Sequence, residues 1–494
     1  MKIFDTAKVR EADAITIERQ GITSVDLMER AGKEVFMWIK NRFPDKETVF
    51  QIYCGKGSNG GDGLVVARLL VADSYRVHIE IIEIDALTGD AAIQLQKIKE
   101  AEIPYNEEAH ATNAQLVIVD AIFGTGLSRE PAGEYAEAIS KINHSKAFVV
   151  SIDVPSGLFM ESHSGLVVEA DVVLTFQLTK LALYLTDNYK YCKEVKVLDI
   201  GLDKAFIDLT LTNYYYTDKF DAHSRYRPLN HFAHKGTQGH ALMIGGSYGK
   251  TGAVQLSAKA ALKAGCGLIT AYIPECGYIA IQSAFPEAMV LTDGEKHITS
   301  ISFDLQPTVI GIGPGLGQHE ETQQALFDFL KLQQDPIVVD ADALNILSYN
   351  KEWLELLPED SVITPHPKEL QRLIGDWKDD FEKLEKIKAF SSAYNIVVVA
   401  KEARTMVFYK NVVYINSTGN AALATAGSGD VLTGIVTGLI AQGYTSVDAA
   451  VFGVYLHGLT ADIAVEDTGM QAFTATTLLE YLGKAYLKIE ADVS

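Results

Sequence analysis

Four consecutive residues, Gly427-Ser428-Gly429-Asp430, combine a flexible turn with a carboxylate at the start of an apolar segment. Apolar residues recur at helical spacing beyond this point, so we expect a helix from about Asp430 to Gly443, with Gly434 and Gly438 thinning one face for close packing. Backbone N–H groups at such a helix start are free and bind anions, helped by the helix dipole. Phosphate chemistry with Asp430 as a base is one interpretation, and a capped helix without chemistry is the other.

A second glycine-rich segment, Cys54 to Gly63, follows a predicted strand (48–54) and precedes a helix predicted from Gly63. Its glycines match GxGxxG, and Glu80 or Asp85 lies near the distance expected for an acid that binds a ribose. These features support a dinucleotide-dependent dehydrogenase as one interpretation. Glycine loops after strands are common, however, and the Asn-Gly-Gly-Asp inside this loop is unusual for that motif.

Two aspartates end further predicted strands, Asp120 in LVIVD and Asp153 in VVSID. The carboxyl ends of parallel strands meet along one crevice, so we expect Asn59, Asp120, Asp153 and Ser156 to lie together. Hard oxygen groups of this kind suit a monovalent or divalent cation, and one carboxylate can serve as a general acid or base. Helix capping or hydrogen bonds to neighbouring loops would explain either aspartate alone.

Three chemical groups follow predicted strands in the second half of the chain. Asp340 and Asp342, in VVDADALN, offer carboxylates that could organise Mg²⁺ and its waters. His366 lies between two prolines, and we favour a preset pocket histidine over an exposed loop residue. Lys401 follows IVVVA and could steady nucleotide phosphates as a point charge, although a solvated surface lysine is the common alternative.

Short apolar, β-branched segments alternate with helical segments in both halves, which predicts parallel sheets covered on both faces. The first series closes near residue 217, and the polar stretch 221–240 is the candidate boundary. A short antiparallel pair, TMVFYK and VVYINS, precedes the glycine turn. We therefore expect two α/β domains, over 1–217 and 225–494.

Composition limits the class of protein. A chain of 494 residues with 48% apolar and 22% charged residues indicates a globular protein of two or three domains. A net charge of −21 argues against nucleic-acid or anionic-membrane partners. The four cysteines lack CxxC spacing, and neither a signal-peptide pattern nor an apolar run of about 18 residues is present. We expect a cytoplasmic protein.

The segments GKGSNGGDG, VDAIFGTGL, DVPSG and ADVVLTF, within residues 50–176, resemble the N-terminal domain of the bifunctional NAD(P)H-hydrate repair enzymes. The resemblance implies a Rossmann-like three-layer α/β/α fold, NAD(P)H-hydrate epimerase activity and a bound K⁺. It implies that Asn59, Asp120 and Ser156 are potassium ligands. The residues it places on the hydrate are Ser58, Asn59, Gly60, Gly61, Asp62, Gly124, Thr125, Gly126, Leu127, Ser128, Arg129, Glu130 and Asp153.

The segments HKGTQGHALMIGGSYGKTGA, GIGPGLG, VDADALN, TPHPKEL and GSGDVLTGI, over about residues 230–485, resemble the dehydratase domain of the same enzymes. The resemblance implies a ribokinase-like α/β fold and dehydration of the S hydrate at the expense of ADP (or ATP), with Mg²⁺. It places Ala253, Gly315, His366 and Asp430 on the hydrate. The residues it places on the nucleotide are Lys401, Glu402, Ala403, Arg404, Thr405 and Gly429.

Two departures from the family pattern stand out. Family members usually carry glycines after the nucleotide lysine, whereas Glu402 to Thr405 here bear larger side chains, of which Arg404 could supply a compensating charge. Ser428 stands where threonine is common and keeps the hydroxyl.

The implied substrate is NADH or NADPH hydrated at C6 of the nicotinamide ring. We expect Asp153 to donate or accept a proton during epimerisation, and Asp430 to activate the C6 hydroxyl toward the terminal phosphoryl group of the nucleotide. The expected partners are the hydrates and ADP, in a homo-oligomer. Three alternatives stay open: a ribokinase-like small-molecule (vitamin) kinase, a dehydrogenase built on the first glycine loop, and a nucleotide-binding scaffold without turnover.

Overall fold

The computed structural model describes residues 1–107 and 114–491. Residues 108–113 of the predicted first domain and 492–494 of the predicted second domain therefore lie outside the described residues. The chain divides into two compact units. The first unit comprises Lys2–Tyr214 with Asp379–Phe381, and the second comprises Tyr215–Lys378 and the chain from Glu382 onward.

The first unit is built on a parallel sheet. The strands of this sheet are β2 (Val49–Cys54), β3 (Arg76–Ile81), β4 (Leu116–Ala121), β5 (Phe148–Ile152), β6 (Ala170–Phe176) and β7 (Cys192–Leu198), and the short strand β1 (Lys2–Ile3) lies outside it. Its helices are α1 (Thr6–Gln20), α2 (Ser24–Arg42), α3 (Ser58–Ala72), α4 (Gly89–Glu100), α5 (Glu134–His144) and α6 (Lys204–Leu209). The sheet order is β3-β2-β4-β5-β6-β7, with every neighbouring pair parallel. Strands buried on both faces need continuous apolar runs, as the sequence has.

The second unit carries a larger, mixed sheet. The strands are β8 (Tyr214–Thr217), β9 (His240–Ile244), β10 (Leu268–Ile273), β11 (Met289–Thr292), β12 (Val309–Ile312), β13 (Ile337–Val339), β14 (Val362–Ile363), β15 (Val397–Ala400), β16 (Met406–Tyr409) and β17 (Val412–Asn416). The helices are α7 (Lys219–Arg225), α8 (Thr251–Lys263), α9 (Tyr278–Ala284), α10 (Glu320–Leu332), α11 (Ala341–Tyr349), α12 (Pro367–Ile374), α13 (Asp380–Tyr394), α14 (Ser428–Ala441), α15 (Ser446–Thr468) and α16 (Ala475–Ala491).

Strands β8 to β17 lie in the order β8-β17-β16-β15-β14-β13-β12-β9-β10-β11. All pairs from β15 to β11 are parallel. Strands β15, β16 and β17 pair antiparallel, which confirms the predicted antiparallel pair. The alternating α/β architecture predicted for both halves is confirmed.

Several predicted boundaries were wrong. Helix α14 begins at Ser428, two residues before the predicted start, and helix α3 begins at Ser58 rather than Gly63. Helix α7 extends into the first five residues of the segment 221–240. The Asp218 side chain caps this helix, because it accepts hydrogen bonds from the N–H groups of Phe220 and Asp221. Strand β7 begins at Cys192, three residues before its predicted start.

Helix α15 is the one described helix with the length and mean hydropathy to cross a bilayer. About three quarters of its apolar window, 72%, is buried inside the protein. Phe452 and Leu456 are fully buried in the apolar cluster that α14, α15 and α16 share. The composition of α15 is therefore explained by its place in the core of the second unit.

Helices α14 and α8 pack with almost no side chain between their backbones. A Cβ atom built on Gly434 would stand 2.1 Å from the carbonyl oxygen of Ser257, and one on Gly438 would stand 2.4 Å from that of Ala261. The predicted role of the two glycines in close packing is confirmed. This contact fixes the position of α14, and with it the turn that carries Asp430.

Replacing Gly434 by alanine should therefore destabilise the second unit by about 1–3 kcal/mol, because backbone atoms must move to admit the methyl group. The matched control is Gly483→Ala in α16, where a Cβ atom would meet nothing within 4 Å. That control should be neutral or stabilising by up to about 1 kcal/mol. Urea unfolding followed by circular dichroism measures both, and equal midpoints for the two variants would contradict the packing argument.

Candidate functional site

The first unit contains a cavity of about 570 Å³ beyond the carboxyl ends of β2, β4, β5 and β6. In a parallel sheet the loops that follow the strands gather at this edge, so ligands bind there. The predicted site residues that line it are Ser58, Asn59, Asp62, Gly124, Thr125, Gly126, Leu127, Ser128, Arg129 and Asp153.

Three predicted contact residues do not line this cavity. Gly60 and Gly61 lie in the first turns of α3, where a Cβ atom would collide with the Gly55 carbonyl oxygen at 1.8 Å and with the Met28 sulfur at 2.6 Å. Their lack of a side chain lets the helix start sit against its neighbours. The carboxylate of Glu130 accepts a hydrogen bond from the Gly165 N–H group at 3.1 Å.

Asn59, Asp120 and Ser156 meet beside the cavity. The fully buried Asp120 carboxylate accepts hydrogen bonds from the Ser156 N–H and hydroxyl groups at 2.9 and 2.5 Å, and from the Ser151 hydroxyl at 2.7 Å. Asn59 Nδ2 donates to the Phe123 carbonyl at 2.9 Å. The Asn59 Oδ1 atom is buried and has no hydrogen-bond partner among the described residues.

This cluster fits a cation. An unpartnered buried carbonyl oxygen costs free energy unless a donor or a cation meets it. Burial raises the pKa of the Asp120 carboxyl, and the hydrogen bonds from Ser156 and Ser151 only partly offset that rise. A monovalent cation on these hard oxygens would satisfy Asn59 and stabilise the Asp120 charge.

Asp153, the predicted acid or base, lines this cavity and contacts a buried ammonium group. The residue has a φ of +64°, a left-handed conformation that places its carboxylate against Lys180. The Lys180 ammonium is almost fully buried and donates to Asp153 Oδ1 at 2.5 Å and to the Thr175 hydroxyl at 2.7 Å. Burial without a partner would be costly for either charge, so each holds the other in place.

The sequence analysis missed Lys180 and also Asp13, both of which line the cavity. Lys180 follows β6 in a segment, QLTKLALYL, that carries no motif. Asp13 lies on α1, which reads as an ordinary helix with charged outer residues. Only the position of ADVVLTF at the end of the sheet could have drawn attention to Lys180.

In the second unit, the glycine turn holds Asp430 in the first turn of α14. Gly427 has a φ of +84°, and a Cβ atom on it would stand 2.6 Å from Leu256. The Ser428 hydroxyl donates to the Leu423 carbonyl at 2.7 Å, and the buried His457 contacts the Ser428 carbonyl at 3.0 Å through Nε2. The turn is thus held from both sides, and its first amides point outward from the helix start.

The Asp430 carboxyl group receives no hydrogen bond from any described residue, although Ser257 donates to its backbone carbonyl at 2.8 Å. Burial, helped by the neighbouring charge of Asp340, raises the pKa of Asp430 to about 7, while Lys401 opposes the rise. A carboxylate with that pKa is poised to exchange a proton near neutral pH.

The partly buried Lys401 and the buried Asp340 form an ion pair next to the turn. The Lys401 ammonium donates to Asp340 Oδ1 at 2.8 Å, and the Thr433 hydroxyl donates to Oδ2 at 2.6 Å. A Cβ atom on Gly429 would stand 3.3 Å from the Lys401 Nζ atom, so the ammonium lies beside the helix start. The surface-lysine alternative for Lys401 is therefore wrong.

The carboxylates of Asp340 and Asp342 accept hydrogen bonds from neighbouring residues. Both Asp340 oxygens accept one as described, and the Asp342 carboxylate accepts from the Gly317 N–H group at 2.9 Å and from Gln318 at 3.2 Å. Each carboxylate oxygen has two lone pairs, so acceptor capacity remains for an ion or its waters. The organisation of Mg²⁺ by these two residues stays a prediction.

His366 caps helix α12, a role that the sequence analysis did not consider. Its Nδ1 atom accepts hydrogen bonds from the N–H groups of Lys368 and Glu369 at 3.1 and 3.4 Å, with Pro367 at the first helical position. Burial and the nearby Lys401 lower the pKa of His366, and burial raises the pKa of Glu369 to about 7. A neutral imidazole with a fixed orientation results.

The segment from Lys401 to Thr405 connects β15 to β16 and carries the larger side chains noted in the sequence. The buried Lys383 ammonium donates hydrogen bonds to both Glu402 carboxylate oxygens at 2.8 Å. Arg404 donates to the Ser417 carbonyl at 3.2 Å. These partners hold the side chains of Glu402 and Arg404 against the protein's own residues.

Ala253 and Gly315, the remaining predicted contacts, lie side by side. A Cβ atom on Gly315, whose φ is +64°, would stand 3.2 Å from the Ala253 Cβ atom and 2.4 Å from the Lys250 carbonyl oxygen. The close approach of the Lys250 backbone leaves no room for a side chain on Gly315.

The fold and the sites define a two-part α/β enzyme: a parallel α/β unit with a carboxylate-lined cavity, followed by a unit of the ribokinase-like fold. Two family models match, one described as YjeF-related protein N-terminus over residues 24–182 and one as NAD(P)H-hydrate dehydratase over residues 241–484. The chain belongs to the family of bifunctional NAD(P)H-hydrate repair enzymes.

Relatives match along almost the whole chain. The bifunctional NAD(P)H-hydrate repair enzyme of Moorella thermoacetica is 35% identical over 100% of this chain and 98% of its own length. That of Coxiella burnetii is 33% identical over 97% of this chain and 98% of its own length. The crystal structure of the ADP/ATP-dependent NAD(P)H-hydrate dehydratase from Bacillus subtilis, co-crystallised with ATP and Mg²⁺, covers 56% of this chain and 100% of its own, with a TM-score of 0.50 and 28% identity.

Proposed function

We propose that the first unit interconverts the R and S hydrates of NADH and NADPH at C6 of the nicotinamide ring. We propose that the second unit dehydrates the S hydrate to NAD(P)H at the expense of ADP. The observation that carries the proposal is the Asp430 carboxyl group, which has a pKa of about 7 and stands at a helix start beside the Lys401 ammonium. That arrangement supports transfer of a phosphoryl group to a hydroxyl.

In the dehydratase step, Asp430 takes the proton of the C6 hydroxyl while the hydroxyl oxygen attacks the terminal phosphorus of ADP. The bond from that phosphorus to the bridging oxygen breaks, and AMP leaves. The first amides of α14 and the Lys401 ammonium stabilise the charge that develops on the phosphoryl oxygens. The C6–O bond then breaks with phosphate as the leaving group, driven by the lone pair of the ring nitrogen. Loss of one proton from C5 completes the double bond of the dihydronicotinamide.

The nucleotide residues proposed are Lys401 to Thr405 and Gly429, and the hydrate residues are Ala253, Gly315, His366 and Asp430. Neighbouring charge supports this set, because Lys401 and Asp340 both act on the pKa of His366 and on the pKa of Asp430. A Mg²⁺ ion that accompanies the nucleotide would neutralise part of the phosphate charge. We favour ADP over ATP as the co-substrate.

In the epimerase step, Asp153 exchanges a proton with the C6 hydroxyl. The C6–O bond breaks toward a cationic ring that the nitrogen lone pair stabilises, and water returns to the other face. The Lys180 ammonium, which donates to Asp153 at 2.5 Å, orients the carboxylate. The proposed hydrate contacts are Ser58 to Asp62, Gly124 to Glu130 and Asp153, and most of them line the cavity.

We propose that K⁺ is the cation held by Asn59, Asp120 and Ser156, where it would fix the loops around the hydrate. At constant ionic strength, KCl should raise the unfolding temperature above its value in tetramethylammonium chloride. The stabilisation should reach about 1.4 kcal/mol at ten times the dissociation constant. Asn59→Ala removes the unpartnered Oδ1 atom and should abolish the response in differential scanning fluorimetry. An equal response in both proteins would contradict the proposed ligand set.

The proposed function is tested by incubating mixed R and S hydrates of NADH with ADP or ATP. We expect the reduced nicotinamide absorbance to return, with one free phosphate released per NADH. The vitamin-kinase alternative predicts a stable phosphorylated product instead. Hydrate consumption without nucleotide consumption would exclude the proposed second step.

All four cysteines are free, and three of them are buried, which supports the reducing cytoplasm as the proposed location. Large apolar side chains are exposed at Leu209, Leu211, Phe220 and Phe232, which supports self-association into the proposed homo-oligomer.

A further inference from the structure

Asp13 lies on the face of α1 that lines the cavity of the first unit. Val9, Asp13 and Ile17 follow one another at helical spacing, and all three are lining residues. The cavity therefore receives carboxyl groups from separate elements: Asp13 from α1, Asp62 from α3 and Asp153 from the end of β5. The proposed mechanism uses only the last of these.

Epimerisation through loss and return of water needs two proton transfers at different faces of the ring. An acid must protonate the departing C6 hydroxyl on one face. A base must take a proton from the water that adds to the opposite face. A single carboxylate reaches both faces only if the ring turns over within the site, whereas two carboxylates on separate elements need no such movement.

We propose that Asp13 is a second catalytic residue of the epimerase site, acting on the nicotinamide face opposite to Asp153. This inference rests on the proposed epimerase function. In one direction Asp13 gives its proton to the C6 hydroxyl, the C6–O bond breaks, and water leaves the cationic ring. A water molecule then bonds to C6 from the other face and gives a proton to the Asp153 carboxylate. Exchange with solvent returns Asp13 and Asp153 to their starting forms.

The surroundings of the two carboxyl groups suit these complementary roles. Lys180 donates a hydrogen bond directly to the Asp153 carboxylate, so an ammonium group stands beside that carboxyl group. Burial, followed by the charge of Asp153, raises the pKa of Asp13 to about 6, against the opposing effect of Lys180. Asp13 can therefore hold a proton at a pH where an ordinary aspartate is ionised. The other charged groups that line the cavity are Arg10, Lys56, Asp62, Asp90 and Arg129.

The inference is tested with Asp13→Asn, Asp13→Glu and the matched control Glu11→Gln, an exposed acid of the same helix. Pure R hydrate of NADH is incubated in H₂¹⁸O without nucleotide. The appearance of S hydrate is followed by chromatography, and ¹⁸O incorporation at C6 by mass spectrometry. We expect Asp13→Asn to lower kcat for S hydrate formation and for ¹⁸O incorporation by about 10²–10⁴-fold, with little change in KM. The Glu variant should recover part of the rate, and Glu11→Gln should match the unaltered protein.

The pH profile separates catalysis from a structural role. The limb of kcat/KM that reports Asp13, near pH 6, should disappear in Asp13→Asn. Epimerisation by Asp13→Asn within about twofold of the unaltered protein, with an unchanged pH profile, would overturn the inference while leaving the epimerase function intact. An unaltered protein that does not interconvert the hydrates would overturn both.

Discussion

Replacing Asp430 by asparagine should lower the rate of ADP-dependent dehydration by about 10²–10⁴-fold, because the variant cannot take the proton of the C6 hydroxyl. Asparagine has nearly the same shape as aspartate. No described residue donates a hydrogen bond to the Asp430 carboxyl group, so the substitution leaves no buried donor without its acceptor. The variant should therefore fold. Epimerisation should continue at the unaltered rate, as measured from the equilibration of R and S hydrates without nucleotide.

The raised pKa of Asp430 also predicts how the rate of dehydration changes with pH. Asp430 must be ionised to act as a base, and its pKa is raised to about 7. The kcat/KM of dehydration should therefore rise about tenfold per pH unit below pH 7 and level off above it. Glu466→Gln, an exposed acid on α15, is the matched control and should keep both the rate and the profile. If Asp430→Asn dehydrated the hydrate at more than a tenth of the unaltered rate, the assignment of Asp430 as the base would be wrong.

Replacing Asp153 by asparagine should produce the reverse pattern: epimerisation falls by about 10²–10⁴-fold, while dehydration of pure S hydrate is unchanged. Asparagine is the appropriate substitution because it tolerates the φ of +64° observed at this position. Its side-chain oxygen also keeps an acceptor for the buried Lys180 ammonium, which Asp153→Ala would leave without its charge partner.

The matched control for Asp153→Asn is Glu161→Gln, an exposed acid in the segment that follows it. Its epimerisation rate should equal that of the unaltered protein. Thermal unfolding checks that Asp153→Asn is folded, and dehydration of the S hydrate provides an internal measure of active protein. Loss of both activities in a folded Asp153→Asn protein would contradict the assignment of separate sites.

The architecture was predictable because it depends on local patterns. Short β-branched segments that alternate with helical segments favour buried parallel strands, and the helix of Val431 to Ile440 shows its apolar spacing directly. The glycine segment after β2 was harder, because a run of glycines reads as a loop. It forms the start of α3 because Gly60 and Gly63 have no room for a side chain against Gly55, Ala121 and Cys54.

The site was predictable where motifs carry the chemistry and unpredictable where distant residues meet. The turn at Asp430 and the strand ends at Asp120 and Asp153 can be identified from sequence patterns. The pairing of Asp340 with Lys401, 61 residues further along the chain, cannot be identified in that way, because only the fold brings the two side chains together. Lys180 and Asp13 join the cavity only through the folding of the first unit.

The most direct test of two separate sites is a mixture of Asp153→Asn and Asp430→Asn proteins, supplied with pure R hydrate of NADH and ADP. Each variant alone should recover NADH about 10²–10⁴-fold more slowly than the unaltered protein, because one of the two steps is impaired. The mixture should recover NADH with one phosphate released for each molecule, because one variant supplies S hydrate and the other consumes it. A mixture as inactive as its components, or NADH formed without phosphate, would contradict a chain that epimerises at one site and dehydrates at another.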